Sequence, residues 1–521
     1  MTNVDTKPPG GRTATGSATA RAGGRPGRVL RRLSLGLAFL LLAACGGGYW
    51  YYQHLNANFQ AGQRNLSEAD GARTAPNAAG QTPLNILLIG TDNRGSAKNV
   101  ALGGSADDAG RPGLADVQML LHVSADRSNA SLVSIPRDTL VDIPACKSED
   151  GRQSYPAVSK RMINEALARG GPGCLVGTWA KLTNLYVDHY MMIDFAGVVD
   201  MADAVGGVPV CVNMNLYDRY QPKIGGTGLK LPKGTSVVKG EQALQWLRTR
   251  DAWGDDIGRT KAQHLYLSSM VRELKASGTL GDPAGLMRLA ETASRSISLD
   301  KDLADLKRLY DLGSDLRKVP TERITTLTAP TVTAPSDENR LELKQPDSGQ
   351  IWQLLHADRP LDGKGPATGG SAPTAPAPPS AAPDPSVSAV SPATVAIAVQ
   401  NASGVERRAT EVRAALAAKG FTEAATTANG TPRETTRLSY PPAEAAGARA
   451  VAAALGLPQS ALHEGGAKAE LVLAIGADWP SGTGFPVATP PTGLPRSAEA
   501  VTADDDRNCM TVNPQGGTYT Y

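Results

Sequence analysis

Three short apolar runs, "LNILLIG" (84–90), "VQMLLHVS" (117–124) and "ASLVSIP" (130–136), are each bounded by turn residues. Runs of this length, rich in Leu, Ile and Val, predict buried strands. Beyond them the apolar positions change period. "SKRMINEALARGG" predicts an amphipathic helix over 159–171, stopped by Gly170-Gly171. "GEQALQWLRTR" (240–250) and "IGRTKAQHLYLSSMVRELKAS" (257–277) predict two more helices, and 284–318 carries further helical spacing. Between them, "DHYMMIDFAGVVDMADAVGGVPVCV" reads strand, helix, glycine turn, strand. Strands interleaved with helices predict an α/β domain over 81–277, a central mixed sheet between helices, followed by a helical extension over 278–362.

The pattern then lapses. Residues 363–392 are rich in Pro, Ala and Ser with almost no large apolar side chain, the composition of an extended linker. A second, small α/β domain is predicted over 393–478, from strand "TVAIAVQNAS", a helix ended by Gly420, a helix over 443–455 and strand "AELVLAIG". Residues 53–80 read as a polar tether and 479–521 as a disordered tail.

The N-terminus decides the compartment. Seven basic residues lie between Lys7 and Arg32 in a disordered tail, 1–32. The uncharged stretch "LSLGLAFLLLAACGGGYWYY" (33–52) follows, long enough to cross a bilayer as one transmembrane helix and closed by an aromatic belt, Tyr49 to Tyr52. By the positive-inside rule the body then lies outside the cytoplasmic membrane. "LAAC" (42–45) also reads as a lipoprotein cleavage box with lipid on Cys45, and Arg31-Arg32 as a twin-arginine export signal. All three readings place the body outside, where disulfides persist. Cys146 and Cys174 flank one predicted helix and form the natural pair, a loop whose closure is worth roughly 3–4 kcal/mol. Cys211 and Cys509 are bonded to each other or free.

Lys and Arg exceed Asp and Glu by only three charges, so no global field draws the chain to nucleic acid. The charges that matter interrupt apolar elements. Asp92 and Arg94 follow the first strand, Asp116 precedes the second, and Arg137-Asp138 follow the third. If successive strands pair antiparallel, Asp92, Asp116 and Arg137 converge on one sheet edge. "LRTRDAWGDDIGRTKAQ" adds Arg248, Arg250 and Arg259, with Asp251, Asp255 and Asp256 between them. Arginine forks suit phosphate oxygens, and carboxylates among them suit an oxygen-ligated Mg²⁺. The combination reads as a pyrophosphate clamp; the plainer reading is a set of surface ion pairs. His122, His189 and His264 read as core or edge histidines, and Met191 to Ile193 as core or pocket lining.

Taken in order, "NILLIGTDNRG", an Asp before "VQMLLHV", "LVSIPRDTLVDIP", "MINEAL…GG", "VDHYMMIDFAGVVDMADAVGGVPV", "GEQALQWLRTR" and "GDDIGR" resemble the LytR-CpsA-Psr (LCP) family over about 81–275. Residues 393–478 resemble the LytR C-terminal domain appended in actinobacterial members. The resemblance implies a membrane-anchored phosphotransferase that moves a glycopolymer from a polyprenyl-pyrophosphate carrier to peptidoglycan, with Mg²⁺. It implies metal carboxylates at Asp92 and Asp116, and pyrophosphate-binding side chains at Arg94, Arg137, Arg248, Arg250, Arg259 and Gln263. Arg137, Asp138 and Arg250 are the candidate catalytic residues, with Asp138 more an orienting partner of Arg137 than a base. Two positions depart from the family: Leu114-Ala115 replaces its Arg-Ser, and Ala262 replaces an arginine before the Gln; Lys261 or Arg111 stand nearby as substitutes. These departures motivate the alternative, a wall- or lipid-binding protein without turnover, with pyrophosphatase chemistry as a side activity. The small domain shows no catalytic constellation and reads as a recognition or positioning module.

Overall fold

The computed structural model describes residues 26–93, 96–103, 113–221, 225–276, 283–365, 391–433, 435–458, 461–465, 470–486, 491, 493–505, 509–513 and 519–520. The three apolar runs form the middle of an eight-stranded mixed sheet. Its strands are β1 (Gln60–Gly62), β2 (Leu84–Thr91), β3 (Ala115–Val123), β4 (Ala130–Ser134), β5 (His189–Ile193), β6 (Ile297–Asp300), β7 (Ile324–Thr328) and β8 (Ala500–Thr502). They lie in the order β1-β6-β5-β2-β3-β4-β7-β8. β2 pairs antiparallel with β3 and β3 with β4, while β5 runs parallel to β2 and β7 parallel to β4. Ile86, Leu87, Leu120 and Val133 have no accessible surface, which is why their strands read as unbroken apolar runs.

Helices cover both faces. On one, Leu87, Leu120 and Val133 pack with Trp179 of α2 (Pro172–Thr183) and with Ile351 and Trp352 of α8 (Asp347–His356). On the other, Ile86 meets Leu299 of β6 and Leu312 of α7 (Leu306–Lys318). Burying one such side chain stabilises by about 1.5–3 kcal/mol. A further layer holds α3 (Phe195–Val205), α4 (Gly240–Arg248) and α5 (Asp256–Ala276), with Trp246, Trp253 and Tyr266 in its core. Asp194 caps α3 by accepting from the Gly197 N–H at 2.9 Å, and Gly206, at φ +93°, ends it.

The fold departs from the periodicity in four places. Within 159–171, Val158–Met162 is a strand paired to Leu140–Ile143, and only Glu165–Gly170 is helical; the polar, solvent-facing residues of the strand mimic a helical stripe. The extension 278–362 is not all helix, because β6 and β7 leave α6 (Pro283–Ser296) and α7 to complete the sheet. The tether is docked: β1 joins the sheet edge, and Ala72 bridges Leu185. Last, the tail expected to be disordered returns to the first domain, as edge strand β8 and through Cys509. Its few apolar residues find a surface that no local pattern announces.

Both disulfides are formed, Cys146–Cys174 and Cys211–Cys509; Cys45 is exposed and free. The expected linker lies mostly outside the described residues. The second domain is a five-stranded sheet centred on Leu471–Ile475, with helices Arg408–Ala418 and Ala445–Leu455 and a separate core that includes Val412, Leu416 and Val451. At the N-terminus, α1 (Pro26–Asn58) contains the single helix among the described residues that is long and apolar enough to cross a membrane. Its last turns dock on the body. Tyr52 donates to Asp305 at 2.7 Å and Tyr51 to Glu291 at 3.2 Å.

Candidate functional site

The ladder between β2 and β3 sets Gly90 opposite Val117 and Thr91 opposite Ala115, and the register shift between those pairs leaves Asp116 without a partner on β2. Such a bulge re-aims its side chain, and bulges concentrate beside functional sites. β4 ends beside them: Ile135 donates its N–H to Gln118 at 3.3 Å, and the chain then turns through Pro136 to Arg137. The convergence expected from antiparallel pairing is therefore present. Arg137 Nη1 donates to Asp116 Oδ1 at 2.7 Å, and Asp92 Oδ1 accepts from the Leu114 N–H at 2.8 Å.

The edge opens into a cleft of about 290 Å³. Its lining is mixed, with the polar side chains of Asp92, Asp116, Arg137, Arg248, Arg259 and Gln263 and the apolar ones of Ile193, Phe195, Val198, Leu244 and Leu247. Arg248, at the end of α4, donates to the Leu102 carbonyl at 2.7 Å and lies 4.8 Å over the Phe195 ring. The close approach of that guanidinium needs a glycine. A Cβ on Gly103, at φ +123°, would stand 2.0 Å from Arg248 Nη1. Gln263 donates to the Leu247 carbonyl at 3.1 Å, tying α5 to the end of α4.

Around the arginines the charges alternate. Asp256, nearly buried, lies 2.6 Å from Arg259 and 3.9 Å from Arg250. Asp256 Oδ1 makes no aligned hydrogen bond, so the contact with Arg259 is a close ion pair. Burial opposes the charge on Arg137, but Asp116, Asp256 and Asp138 outweigh it and hold the guanidinium above its ordinary pKa. Arg259 goes the other way. Its burial is the larger influence, with Arg137 and Arg250 adding repulsion, so it sits below its ordinary value despite Asp256. A polyanion in the cleft would relieve that repulsion.

Asp138 and Arg250 are not among the residues that line the cleft. Asp138 Oδ2 is 3.6 Å from Arg137 Nε, the place of an orienting carboxylate. Arg250 is half exposed and reaches toward Asp256. Arg94 and Arg111 lie outside the described residues, and Lys261 is exposed on α5. Ala262 is fully buried, its carbonyl accepting from Trp246 Nε1 at 3.0 Å, so this position serves the core. Ile193 lines the cleft whereas Met191 and Met192 pack into cores. The histidines are structural: His122 sits between Asn85 and Asp358, His189 against Asp300, and His264 is buried.

Two contributors escaped the sequence reading. The sequence suggests a metal-binding role for the carboxylates among the arginines, whereas Asp256 is the buried counter-ion of Arg259, an i,i+3 spacing visible in "GDDIGR". Asp194 lines the cleft while accepting from buried Asn99 at 2.7 Å, and nothing in the local sequence signals that pairing.

Residues 394–479 match the domain described as LytR cell envelope-related transcriptional attenuator. Among curated relatives, the cell wall biosynthesis protein LcpA of Corynebacterium glutamicum is 31% identical over 293 residues, 52% of this chain and 55% of that protein. The probable cell wall biosynthesis protein LcpB of the same organism is 31% identical over 221 residues, 42% of this chain and 48% of that one. The chain thus spans about half the length of these two relatives. The polyisoprenyl-teichoic acid–peptidoglycan teichoic acid transferase TagV of Bacillus subtilis is 25% identical over 307 residues, 57% of this chain and 71% of that protein. With residues 50–357 matching the LytR_cpsA_psr family across the sheet, the cleft and the helices that frame it, the chain belongs to that family.

Proposed function

We propose that this protein is a membrane-anchored phosphotransferase that moves a glycopolymer from a polyprenyl-pyrophosphate carrier to peptidoglycan, outside the cytoplasmic membrane. The observation that carries the reading is the mixed lining of the cleft, which brings Arg137, Arg248 and Arg259 together with Phe195, Val198 and Leu247. A lipid diphosphate is the ligand class with both requirements, two adjacent phosphates and an apolar chain. The names of the relatives support the same reading, since TagV is called a transferase from a polyisoprenyl carrier to peptidoglycan. The helix Arg31–Asn58 supports the membrane anchor.

In this mechanism the arginines hold the diphosphate and neutralise charge that builds on the departing polyprenyl phosphate. A sugar hydroxyl of peptidoglycan attacks the phosphorus that bears the glycopolymer. The new P–O bond forms as the bridging P–O bond breaks, polyprenyl phosphate leaves, and the hydroxyl proton passes to solvent. Asp116 and Asp138 keep Arg137 aimed and charged. Asp92 and Asp116 are the residues that would hold Mg²⁺. Two carboxylates in one cleft fit an ion that takes one or two and fills its shell with water and phosphate oxygens. When bound, the ion would add positive charge beside the diphosphate oxygens.

The test mixes the full-length protein in detergent with a polyprenyl-pyrophosphate saccharide, peptidoglycan and Mg²⁺. Transfer is expected with the wild type, falling at least ~100-fold in Arg137→Ala, because one aimed charge at the reacting centre is worth roughly that much. Asp116→Ala is expected to behave similarly. Binding without transfer by the wild type would replace this reading with the non-catalytic one.

A further inference from the structure

The returning C-terminal segment does more than close the sheet edge. After the second domain, Gly493 accepts from Gln350 at 2.6 Å, β8 pairs antiparallel with β7, and Ala503 donates to Ile324 at 2.8 Å. Cys509 is then bonded to Cys211. Met510 and Val512 are buried in the layer that holds Trp246 and Trp253. Met510 exchanges backbone hydrogen bonds with Cys211 and Asn213 at 2.9 and 3.0 Å. The segment ends on the arginine turn. Asn513 donates its backbone N–H to the Ala252 carbonyl at 2.8 Å, and its side chain reaches the Asp251 carbonyl at 3.5 Å.

That turn, Asp251–Trp253, joins Arg250 to Asp256, the carboxylate that pairs Arg259 in the cleft wall. Trp253 packs edge-on against Trp246, 5.0 Å between ring centres, so the turn has an apolar anchor on one side. Asn513 anchors it on the other. From this contact, we infer that residues 493–505 and 509–513 act as a strap whose Asn513 backbone amide is a positioning group for the arginine turn, and hence for diphosphate binding. This inference rests on the proposed diphosphate site for its functional consequence, but not for its structural one.

Two measurements separate them, both on the full-length protein in detergent. The variants are Asn513→Pro, which removes the amide donor, and Asn513→Ala, which keeps it. Hydrogen exchange of the 250–256 amides should quicken about three- to tenfold in Asn513→Pro, the loss of one net backbone hydrogen bond, and change little in Asn513→Ala. The Kd for geranyl diphosphate with Mg²⁺ should rise by a similar factor in Asn513→Pro and be restored in Asn513→Ala. Should Asn513→Pro fail to fold, Cys509→Ser frees the strap by another route and should give the same local loosening. Unchanged exchange at 250–256 in the folded variants would overturn the strap. Faster exchange with unchanged Kd would overturn its role in binding. If the wild type itself does not bind geranyl diphosphate, the diphosphate reading fails while the exchange result still decides the strap.

Discussion

Replacing Asp256 by Asn tests the charge arrangement behind the cleft most directly. The substitution keeps shape and removes one negative charge from a place where Asp256 and Arg259 are 2.6 Å apart and both nearly buried. Arg259 would be left against Arg137 and Arg250, with burial already disfavouring its charge. Breaking one partner of a buried pair costs on the order of 3–5 kcal/mol; because Asn still offers an acceptor oxygen, about 2–4 kcal/mol is the expected loss. For a domain of this size that corresponds to a fall of about 4–10 °C in melting temperature. The same reasoning fixes a second sign. An anion in the cleft supplies the charge that Asp256 no longer provides, so inorganic pyrophosphate should raise the melting temperature more in Asp256→Asn than in the parent. Thermal unfolding of the full-length protein in detergent, followed by circular dichroism with and without pyrophosphate, measures both. A variant melting within about 1 °C of the parent, or one stabilised no more than the parent by pyrophosphate, would refute the alternating-charge account.

Gly103→Ala should weaken geranyl diphosphate binding about tenfold, because its Cβ would push Arg248 Nη1 aside, and should lower the melting temperature through backbone strain at φ +123°; calorimetric titration and thermal unfolding check this. Asp92→Asn retains an acceptor for the Leu114 N–H but loses its charge, so Mg²⁺ binding measured in the presence of pyrophosphate should weaken while the fold is kept. His264 is wholly buried, and burial lowers its pKa to about 4 from an ordinary 6.5. Between those values the unfolded chain binds a proton that the folded chain refuses, so stability falls as pH drops from about 6.5 towards 4 and this contribution levels off below. His264→Leu should remove that share, on the order of 3 kcal/mol, from the pH dependence measured by denaturant unfolding at pH 4.5 and 7.

Several structural facts were legible in the chain before any folding was considered. The apolar runs of β2, β3 and β4 announce strands with little solvent face, because a strand covered on both sides is filled mainly by apolar residues, and its few polar side chains, such as His122 and Asn85, bond to each other. Antiparallel pairing of successive strands then brings Asp92, Asp116 and Arg137 to one edge from local connectivity alone. The same holds for the membrane-length helix and for the small domain, whose core is built from its own contiguous residues. Where the reading failed, the contact partner was distant. Val158–Met162 became a strand because Leu140–Ile143 lies beside it. β6 and β7 were hidden among helical periodicity, since an edge or near-edge strand is specified by its neighbour rather than by its own alternation.

The sequence by itself therefore determined the long apolar N-terminal helix, the small second domain, the three central strands and the identity of most charged residues in the cleft. Only the tertiary structure decided how those charges balance. Asp256 became a buried counter-ion because α5 sets it beside Arg259 and the end of β4. Ala262 went to the core rather than the cleft through the facing direction of one helix turn. Residues 509–513 became a strap because Cys211, Asn213 and Ala252 present bonding groups about 260 to 300 residues upstream. Local patterns record the environment that neighbours in sequence create. The electrostatics of a buried charge and the fate of a polar tail depend on groups brought near by the fold alone.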